Sequence, residues 1–195
     1  MRRATPTPGG RVFRSPSGVV AFVVAAAVAL LLLGDAAVRA GVGEMLLLAP
    51  WILLLLWGAY VFVYAPRVRI DRDGIRLHNI LRIVDVPWAL VRGIDVRWQL
   101  ELTLQDGRVL RAYGGPVAGR PGRPALRRSP GEAERVPPAI RDLGLIREQW
   151  QDALERGADS GAPEIRRGWD VPGLVALAAI LAWAVIALLI SGGMG

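Results

Sequence analysis

The sequence contains no cysteine and no lysine, and its single histidine is His78. The absence of cysteine excludes disulfide scaffolds, thiolate zinc sites, iron–sulfur clusters and cysteine nucleophiles. One histidine is too few for a metal cluster built from histidines. Charged residues are also scarce, at 21%, whereas 53% of the residues are apolar. Soluble domains average about 25% charged and about 45–50% apolar residues, so this composition indicates a membrane protein.

Three long apolar runs predict three membrane-spanning helices, at about 18–40, 45–64 and 171–190. A bilayer core of about 30 Å requires roughly 20 helical residues. The second and third runs each have 20 residues without a charged side chain. The first run has a second interpretation, a secretory signal peptide cleaved after Val38-Arg39-Ala40. The sequence leaves open whether this first span is cleaved.

The distribution of arginine predicts how the spans are oriented. Four arginines and no acid lie in the tail 1–17, and 19 of the 24 arginines lie in the polar segment 66–170. The loop 34–44 has one arginine and the tail 191–195 has none. Because basic segments stay on the cytoplasmic side, we expect a multi-pass plasma membrane protein whose N-terminus and polar segment are cytoplasmic. The C-terminus is then extracytoplasmic.

Between residues 67 and 113, apolar and polar residues alternate with the period of two that is typical of β-strands. We expect the first hairpin to turn at Asp73-Gly74, because glycine tolerates the positive φ of a two-residue turn. The expected register pairs Ile70 with Leu77, Asp71 with Arg76, and Arg69 with His78.

The second hairpin is expected to turn at Asp106-Gly107. A three-residue loop, 105–107, pairs Glu101 with Arg111 and Leu102 with Leu110. A two-residue loop would place Arg111 opposite Leu102. The three-residue loop is preferred because it places opposite charges across the strands.

The rest of the polar segment predicts one helix between two linkers. Residues 114–136 are rich in glycine, proline and arginine, so we expect a disordered insert. A helix opens at Pro137-Pro138 and should pack an apolar stripe on the sheet. The cytoplasmic domain then spans 66–158, and a linker follows at 159–170. The stripe comprises Ile140, Leu143, Ile146, Trp150 and Leu154, and Trp88 and Trp98 are also expected in the core.

A family resemblance rests on the order of these features. Two N-terminal spans precede the hairpin Ile70–Leu77, then Val86-Pro87-Trp88, the strand Ile94-Asp95-Val96 and the stretch Leu102–Arg108. This order resembles the bacterial pleckstrin-homology-like (PH-like) domains of actinobacterial membrane proteins. The group named after a mycobacterial low-molecular-weight protein antigen is the most similar. The resemblance covers about 45–113 and the closing helix 138–156.

The resemblance implies an α+β fold. It consists of three transmembrane helices and a cytoplasmic PH-like split β-barrel of about six antiparallel strands, capped by a C-terminal amphipathic helix. Such domains bind lipids, peptides or proteins, or they oligomerise, and they are not enzymes. The insert 114–136 and the third span depart from the family pattern. No ligand-binding residues can be carried over from the family.

The residues themselves predict no catalytic, cofactor-binding or metal site. We expect His78 to be a surface strand residue, and the nearby carboxylates to form turns and ion pairs. The glycine-rich part of the insert lacks the Lys-Ser/Thr of a phosphate-binding loop. No nucleic-acid partner is expected.

Arginine clusters are the remaining candidate for a site. Each basic residue near an anionic membrane surface contributes roughly 1 kcal/mol, so these residues predict contact with anionic lipid headgroups. The alternative is that they only set the orientation of the spans. Two functions stay open: a membrane-anchored binding or scaffold module with a lipid or protein partner, or a structural membrane protein that self-associates. The candidate residues are Arg67, Arg69, Arg76, Arg166 and Arg167.

Overall fold

The computed structural model describes residues 10–96, 98–115, 138–157 and 163–193. The chain divides into two compact units, one comprising residues 1–15 and 66–168, and the other 16–65 and 169–195. We call the first the β domain and the second the helical unit. In chain order the elements are β1 (Arg11–Phe13), α1 (Pro16–Arg39), α2 (Gly41–Ala59), a π-helical turn (Tyr60–Tyr64), β2 (Arg67–Ile70), β3 (Gly74–Asn79), β4 (Arg82–Pro87), a 3-10 turn (Trp88–Leu90), β5 (Val91–Val96), β6 (Leu100–Leu104), β7 (Val109–Ala112), α3 (Pro138–Glu155), β8 (Arg166–Trp169) and α4 (Val171–Gly192).

The helical unit contains three helices that are long and apolar enough to cross a membrane, as the sequence predicts. The first span begins at Pro16, the second begins at Gly41, and the third continues to Gly192. Each helix thus extends a few residues beyond the predicted span, and the boundaries of the spans stay a prediction.

Close backbone packing and one hydrogen bond hold the helical unit together. A Cβ atom at Gly18 of α1 would lie 2.5 Å from the Val63 carbonyl oxygen, so only glycine allows this approach. The Trp57 indole Nε1 of α2 donates a 2.9 Å hydrogen bond to the Gly173 carbonyl of α4. Lipid tails have no hydrogen-bond acceptors, so in an apolar environment this bond satisfies an indole N–H that would otherwise have no partner.

The β domain consists of a five-stranded sheet in the order β1-β2-β3-β4-β8 and a three-stranded sheet in the order β5-β6-β7. The pairs β1–β2, β2–β3, β3–β4, β5–β6 and β6–β7 are antiparallel. Alternating apolar residues of both sheets face one core, where Trp88 on the 3-10 turn is fully buried. Its Nε1 donates to the Asp71 carbonyl at 2.9 Å. The α+β class with antiparallel sheets is the expected one.

The first hairpin has a different register from the expected one. Ile70 lies opposite Ile75, and Arg69 lies opposite Arg76, a shift of two residues. Asp71 causes the shift, because its Oδ1 accepts hydrogen bonds from the backbone N–H of Asp73 (3.1 Å) and of Gly74 (3.0 Å). This side-chain turn removes Asp71 from the ladder. A shift of two leaves every side chain on its predicted face.

Gly74 is required for a different reason from the expected one. Its φ is not positive; instead, a Cβ atom there would lie 2.3 Å from the Val86 carbonyl oxygen of β4. The second hairpin has the expected register, with Glu101 opposite Arg111 and Gly107 at φ +82°. Glu101 and Arg111 form an ion pair of 3.0 Å.

Two strands lie in segments that the sequence predicted as tail and linker. β1 belongs to the segment 1–17, and β8 belongs to the segment 159–170. Both are short and rich in arginine, so alternation alone does not reveal them. They are strands because each pairs with an edge of the sheet that β2, β3 and β4 already form.

The helix α3 packs on β5 and on the 3-10 turn, but its buried stripe differs from the expected one. Ile146 and Ala153 are fully buried, and Leu143 and Trp150 are partly buried against the core. Ile140 and Leu154, at the two ends of the expected stripe, are exposed. The helix therefore contacts the core from Leu143 to Ala153.

Trp98 is also exposed, at 78%, because β5 ends at Val96 and Trp98 lies in the connection to β6. Its expected place in the core was therefore wrong. Gly114 and Gly115 are buried against β2, so the ordered domain extends two residues into the expected insert. The rest of the predicted disordered insert, 116–136, lies outside the described residues, as do residues 159–162 of the predicted linker.

Candidate functional site

The five candidate arginines lie on three different strands of the five-stranded sheet. Arg67 and Arg69 belong to β2, Arg76 belongs to β3, and Arg166 and Arg167 belong to β8. β3 and β4 separate β2 from β8. With neighbouring strands about 4.8 Å apart, the two pairs of arginines are about 14 Å apart. The structure therefore does not bring the five residues into one patch.

The β2 arginines lie on the outer face of the sheet because they alternate with the buried Val68 and Ile70. Both are half-buried. Arg69 lies in a row across three strands, with Val12 of β1 on one side and Arg76 of β3 on the other. Two arginines directly opposite each other repel, so this row needs a carboxylate to be stable.

Asp85 supplies that carboxylate, but only to Arg76. Asp85 of β4 lies directly opposite Arg76 and binds it through both carboxylate oxygens, one of them 2.9 Å from Arg76 Nη2. The hydrogen bond to Asp85 raises the pKa of Arg76 above its ordinary value, against the opposing effect of partial burial. A bidentate pair of this kind occupies the guanidinium plane. Arg76, expected as a lipid contact, is thus engaged within the sheet.

Arg69 has no such counterion among the described residues. Its Nε is buried and has no hydrogen-bond partner in the described part of the chain. The backbone of Gly10 covers it, since a Cβ atom at that glycine would lie 3.0 Å from Arg69 Nε. A buried guanidinium nitrogen without an acceptor is costly, and the unneutralised charge of Arg69 favours an anion beside the rest of its guanidinium.

His78 is 5% exposed and thus buried, contrary to the expected surface position. It lies opposite Arg67 on β2, instead of Arg69, and opposite Ile83 on β4. A central strand is covered by neighbours on both sides, which explains the burial. Among the described residues, no group of three or more His, Cys, Asp and Glu side chains could hold a metal ion.

A cleft that the sequence did not predict adjoins β8. Its volume is about 430 Å³. One wall is the turn between β6 and β7, where Arg108 binds Asp106 at 2.6 Å, and the other wall is the segment that leads into β8. The Arg108 guanidinium lowers the pKa of Asp106 below its ordinary value. The lining residues are Leu90, Leu104, Gln105, Asp106, Arg108, Pro163, Glu164, Ile165 and Arg167.

One signal in the sequence could have indicated the cleft. Three of the four lining residues in this segment, Pro163, Ile165 and Arg167, alternate along the chain, as residues on one side of an extended segment do. The segment was instead expected to be a linker. The opposite wall could not be predicted, because it comes from a hairpin about 60 residues earlier in the chain.

Residues 65–128 match a family model described as a bacterial PH domain, which covers about a third of the chain. No curated protein and no solved structure matches the chain. The matched residues include β2 to β7, which are the whole three-stranded sheet and three strands of the five-stranded one. PH domains are typically non-enzymatic binding modules, and the match identifies no enzyme family.

Proposed function

We propose that this chain is a non-enzymatic, membrane-anchored binding module whose PH-like domain lies at the cytoplasmic face of the plasma membrane. There its β2 arginines contact anionic lipid headgroups. The observation that carries the proposal is Arg69 itself, a half-buried arginine on the outer face of β2 that forms no ion pair with the described residues. Arg67 lies two residues away on the same face of β2 and adds a second positive charge.

The pairing of β1 with β2 supports the proposed topology. β1 precedes the first candidate span and β2 follows the second, yet the two strands are hydrogen-bonded neighbours. Strands can pair only if they lie on the same side of the membrane. Two crossings between them satisfy this requirement, and a signal peptide cleaved after Ala40 would separate β1 from the domain. The excess of arginine in the tail and the polar segment supports the cytoplasmic side.

The phosphate of an anionic lipid suits Arg69 because a guanidinium donates to phosphate oxygens in a fork geometry. Arg76 is left out of the proposed contact, since Asp85 already binds it. Each arginine near an anionic surface contributes roughly 1 kcal/mol, which corresponds to about a fivefold change in affinity.

Lipid titration of the full chain tests this proposal. Delipidated protein in neutral detergent is titrated with phosphatidylglycerol or phosphatidylcholine, and bound lipid is counted by native mass spectrometry. We expect a preference for phosphatidylglycerol that falls about fivefold for each of Arg67→Gln and Arg69→Gln, and that weakens with salt.

The matched control removes the same charge elsewhere in the domain. Arg72 lies in the turn after β2 and Arg92 lies on β5, and both are exposed. The double variant Arg72→Gln, Arg92→Gln should keep the preference for phosphatidylglycerol. Equal losses in the control and in the Arg67→Gln, Arg69→Gln variant would refute a specific β2 contact.

Exposed apolar side chains favour one second candidate, self-association of the β domains. Trp98 is 78% exposed and Tyr113 is 62% exposed, and large apolar side chains at a surface often mark protein interfaces. Crosslinking in native membranes distinguishes the candidates. Crosslinks between copies of this chain alone would support the oligomer. Loss of those crosslinks in the Trp98→Ser variant would place Trp98 in the interface between the copies.

A further inference from the structure

The two terminal strands of the three-stranded sheet are hydrogen-bonded by side chains from other elements. The Asn79 side chain of β3 donates to the Arg111 carbonyl of β7 at 2.8 Å and accepts from the Tyr113 N–H at 3.0 Å. The Arg147 guanidinium of α3 donates to the Ile94 carbonyl of β5 at 3.1 and 2.7 Å. Such contacts occupy backbone groups that another strand could otherwise bind.

The five-stranded sheet has a different edge at β8. β8 is its last strand, and β4 is its one neighbour among the described strands. All four residues of β8 are exposed. A strand at the end of a sheet presents backbone donors and acceptors along its outer edge, which can pair with another extended chain.

The cleft next to β8 provides room for side chains of such a chain. Its volume of about 430 Å³ lies within the range of ligand-binding clefts, roughly 300–1,000 Å³. Leu90, Leu104 and Ile165 supply apolar surface. Arg167 lies two residues after Ile165 and lines the same cleft, so the two side chains share one side of the extended segment.

Charge indicates which kind of peptide fits. Arg166 and Arg167 form no ion pair within the described part of the chain, whereas Arg108 on the opposite wall already binds Asp106. Glu164 also lines the cleft but precedes β8, so the strand itself carries two positive charges and no negative one. An acidic side chain opposite Arg167 would meet an unneutralised cation. An aliphatic side chain two positions away would reach Ile165 and the leucines.

We propose that β8 binds an extended acidic peptide segment of a partner protein by strand addition, with one aliphatic and one acidic side chain of the peptide, two positions apart, placed in the cleft. Backbone hydrogen bonds to β8 supply affinity, and the two side chains supply specificity. The site does not include the β2 arginines. Lipid binding by β2 and peptide binding by β8 can therefore each fail without the other.

Synthetic peptides test the proposal on the full chain in neutral detergent. The probes are fluorescent, end-capped peptides of about six residues, the usual length of a strand. Each carries Val, Leu or Ile two positions from one Glu, in either order, with Thr elsewhere, and binding is measured by fluorescence anisotropy. We expect at least one probe to bind, and expect its Lys-for-Glu version to bind about tenfold more weakly.

Protein variants locate the contact. Arg167→Glu and Ile165→Ser should each lower the affinity of the protein for that probe by about tenfold. Arg92→Glu changes an exposed arginine on β5 by the same two charge units and should leave binding unchanged. Equal binding by Arg167→Glu and by the unchanged protein would overturn the proposal.

Backbone methylation separates strand addition from side-chain binding alone. The bound probe is made in two forms, N-methylated at its odd or at its even amides, because alternate amides of a strand point to opposite edges. One form should lose binding and the other should keep it. Equal binding by both forms, or no binding by any probe at about 1 mM, overturns the proposal. If no probe binds but Arg166→Gln and Arg167→Gln reduce phosphatidylglycerol binding, β8 is instead a lipid contact.

Discussion

Replacement of Trp88 by alanine tests whether the two sheets share one core around this side chain. Trp88 is 0% exposed, and its indole Nε1 donates to the Asp71 carbonyl of the first hairpin. Replacing a buried tryptophan by alanine costs about 3–5 kcal/mol, because apolar contacts are lost and a cavity remains. Trp88→Phe keeps most of the ring but leaves the Asp71 carbonyl without its donor, for a smaller cost of about 1–3 kcal/mol.

The absence of cysteine makes a sensitive assay possible. Ala153→Cys places one thiol at a fully buried position of α3, where no other thiol competes for a water-soluble labelling reagent. When opening and closing are fast relative to labelling, the labelling rate follows the equilibrium population of the open domain. In this background, Trp88→Ala should accelerate labelling by about two to three and a half powers of ten, since 1.4 kcal/mol corresponds to tenfold.

The control is Trp98→Ala, ten residues later in the chain. Trp98 is 78% exposed, and surface substitutions usually change the free energy of unfolding by less than about 0.5 kcal/mol. Labelling should accelerate by no more than about twofold. Equal acceleration by the two alanine variants would refute the assignment of Trp88 to the core and of Trp98 to the surface.

Three further predictions concern the turns and the helix of the β domain. Gly74→Ala should lower the thermal unfolding temperature, because a Cβ atom there would lie 2.3 Å from a backbone oxygen of β4 and the strand must shift. In the thiol assay, Ile146→Ala should cost about 2–5 kcal/mol, whereas Ile140→Ala should change little, because Ile146 is 0% and Ile140 is 59% exposed. Arg108 lowers the pKa of Asp106, so the ion pair stabilises the hairpin at pH values above the ordinary pKa of 3.8. This stabilisation is lost as the pH falls through the lowered pKa. Asp106→Asn should therefore make the free energy of unfolding depend less on pH in the acidic range.

The two hairpins show where strand alternation is sufficient for prediction and where it is not. For the second hairpin, pairing of Glu101 with Arg111 chose the correct loop length, and Gly107 adopts the positive φ that the loop requires. For the first hairpin, alternation placed Ile70 and Ile75 correctly in the core. It could not indicate the register, because the side chain of Asp71 replaces a backbone partner in the turn.

Elements that depend on tertiary structure were the ones that sequence reasoning missed. β1 and β8 are three and four residues long and carry little alternation, so they are strands only beside a sheet that already exists. The candidate arginines were chosen from the sequence by charge and by their distance from the spans. Their division into a paired Arg76 and an uncompensated Arg69 depends on Asp85, which only the register of β3 with β4 brings opposite Arg76.

The position of β1 has a consequence for biosynthesis. Its partner strand β2 leaves the ribosome more than 50 residues later, with two candidate spans between them. At about 5–20 residues per second, β1 waits roughly 3–10 s before β2 exists. In the proposed topology, the first two spans enter the membrane during this interval while the unpaired β1 stays on the side where β2 will emerge. Closure of the β1–β2 ladder then joins the two ends of the inserted helical hairpin, so the sheet acts as a latch that disfavours withdrawal of either span.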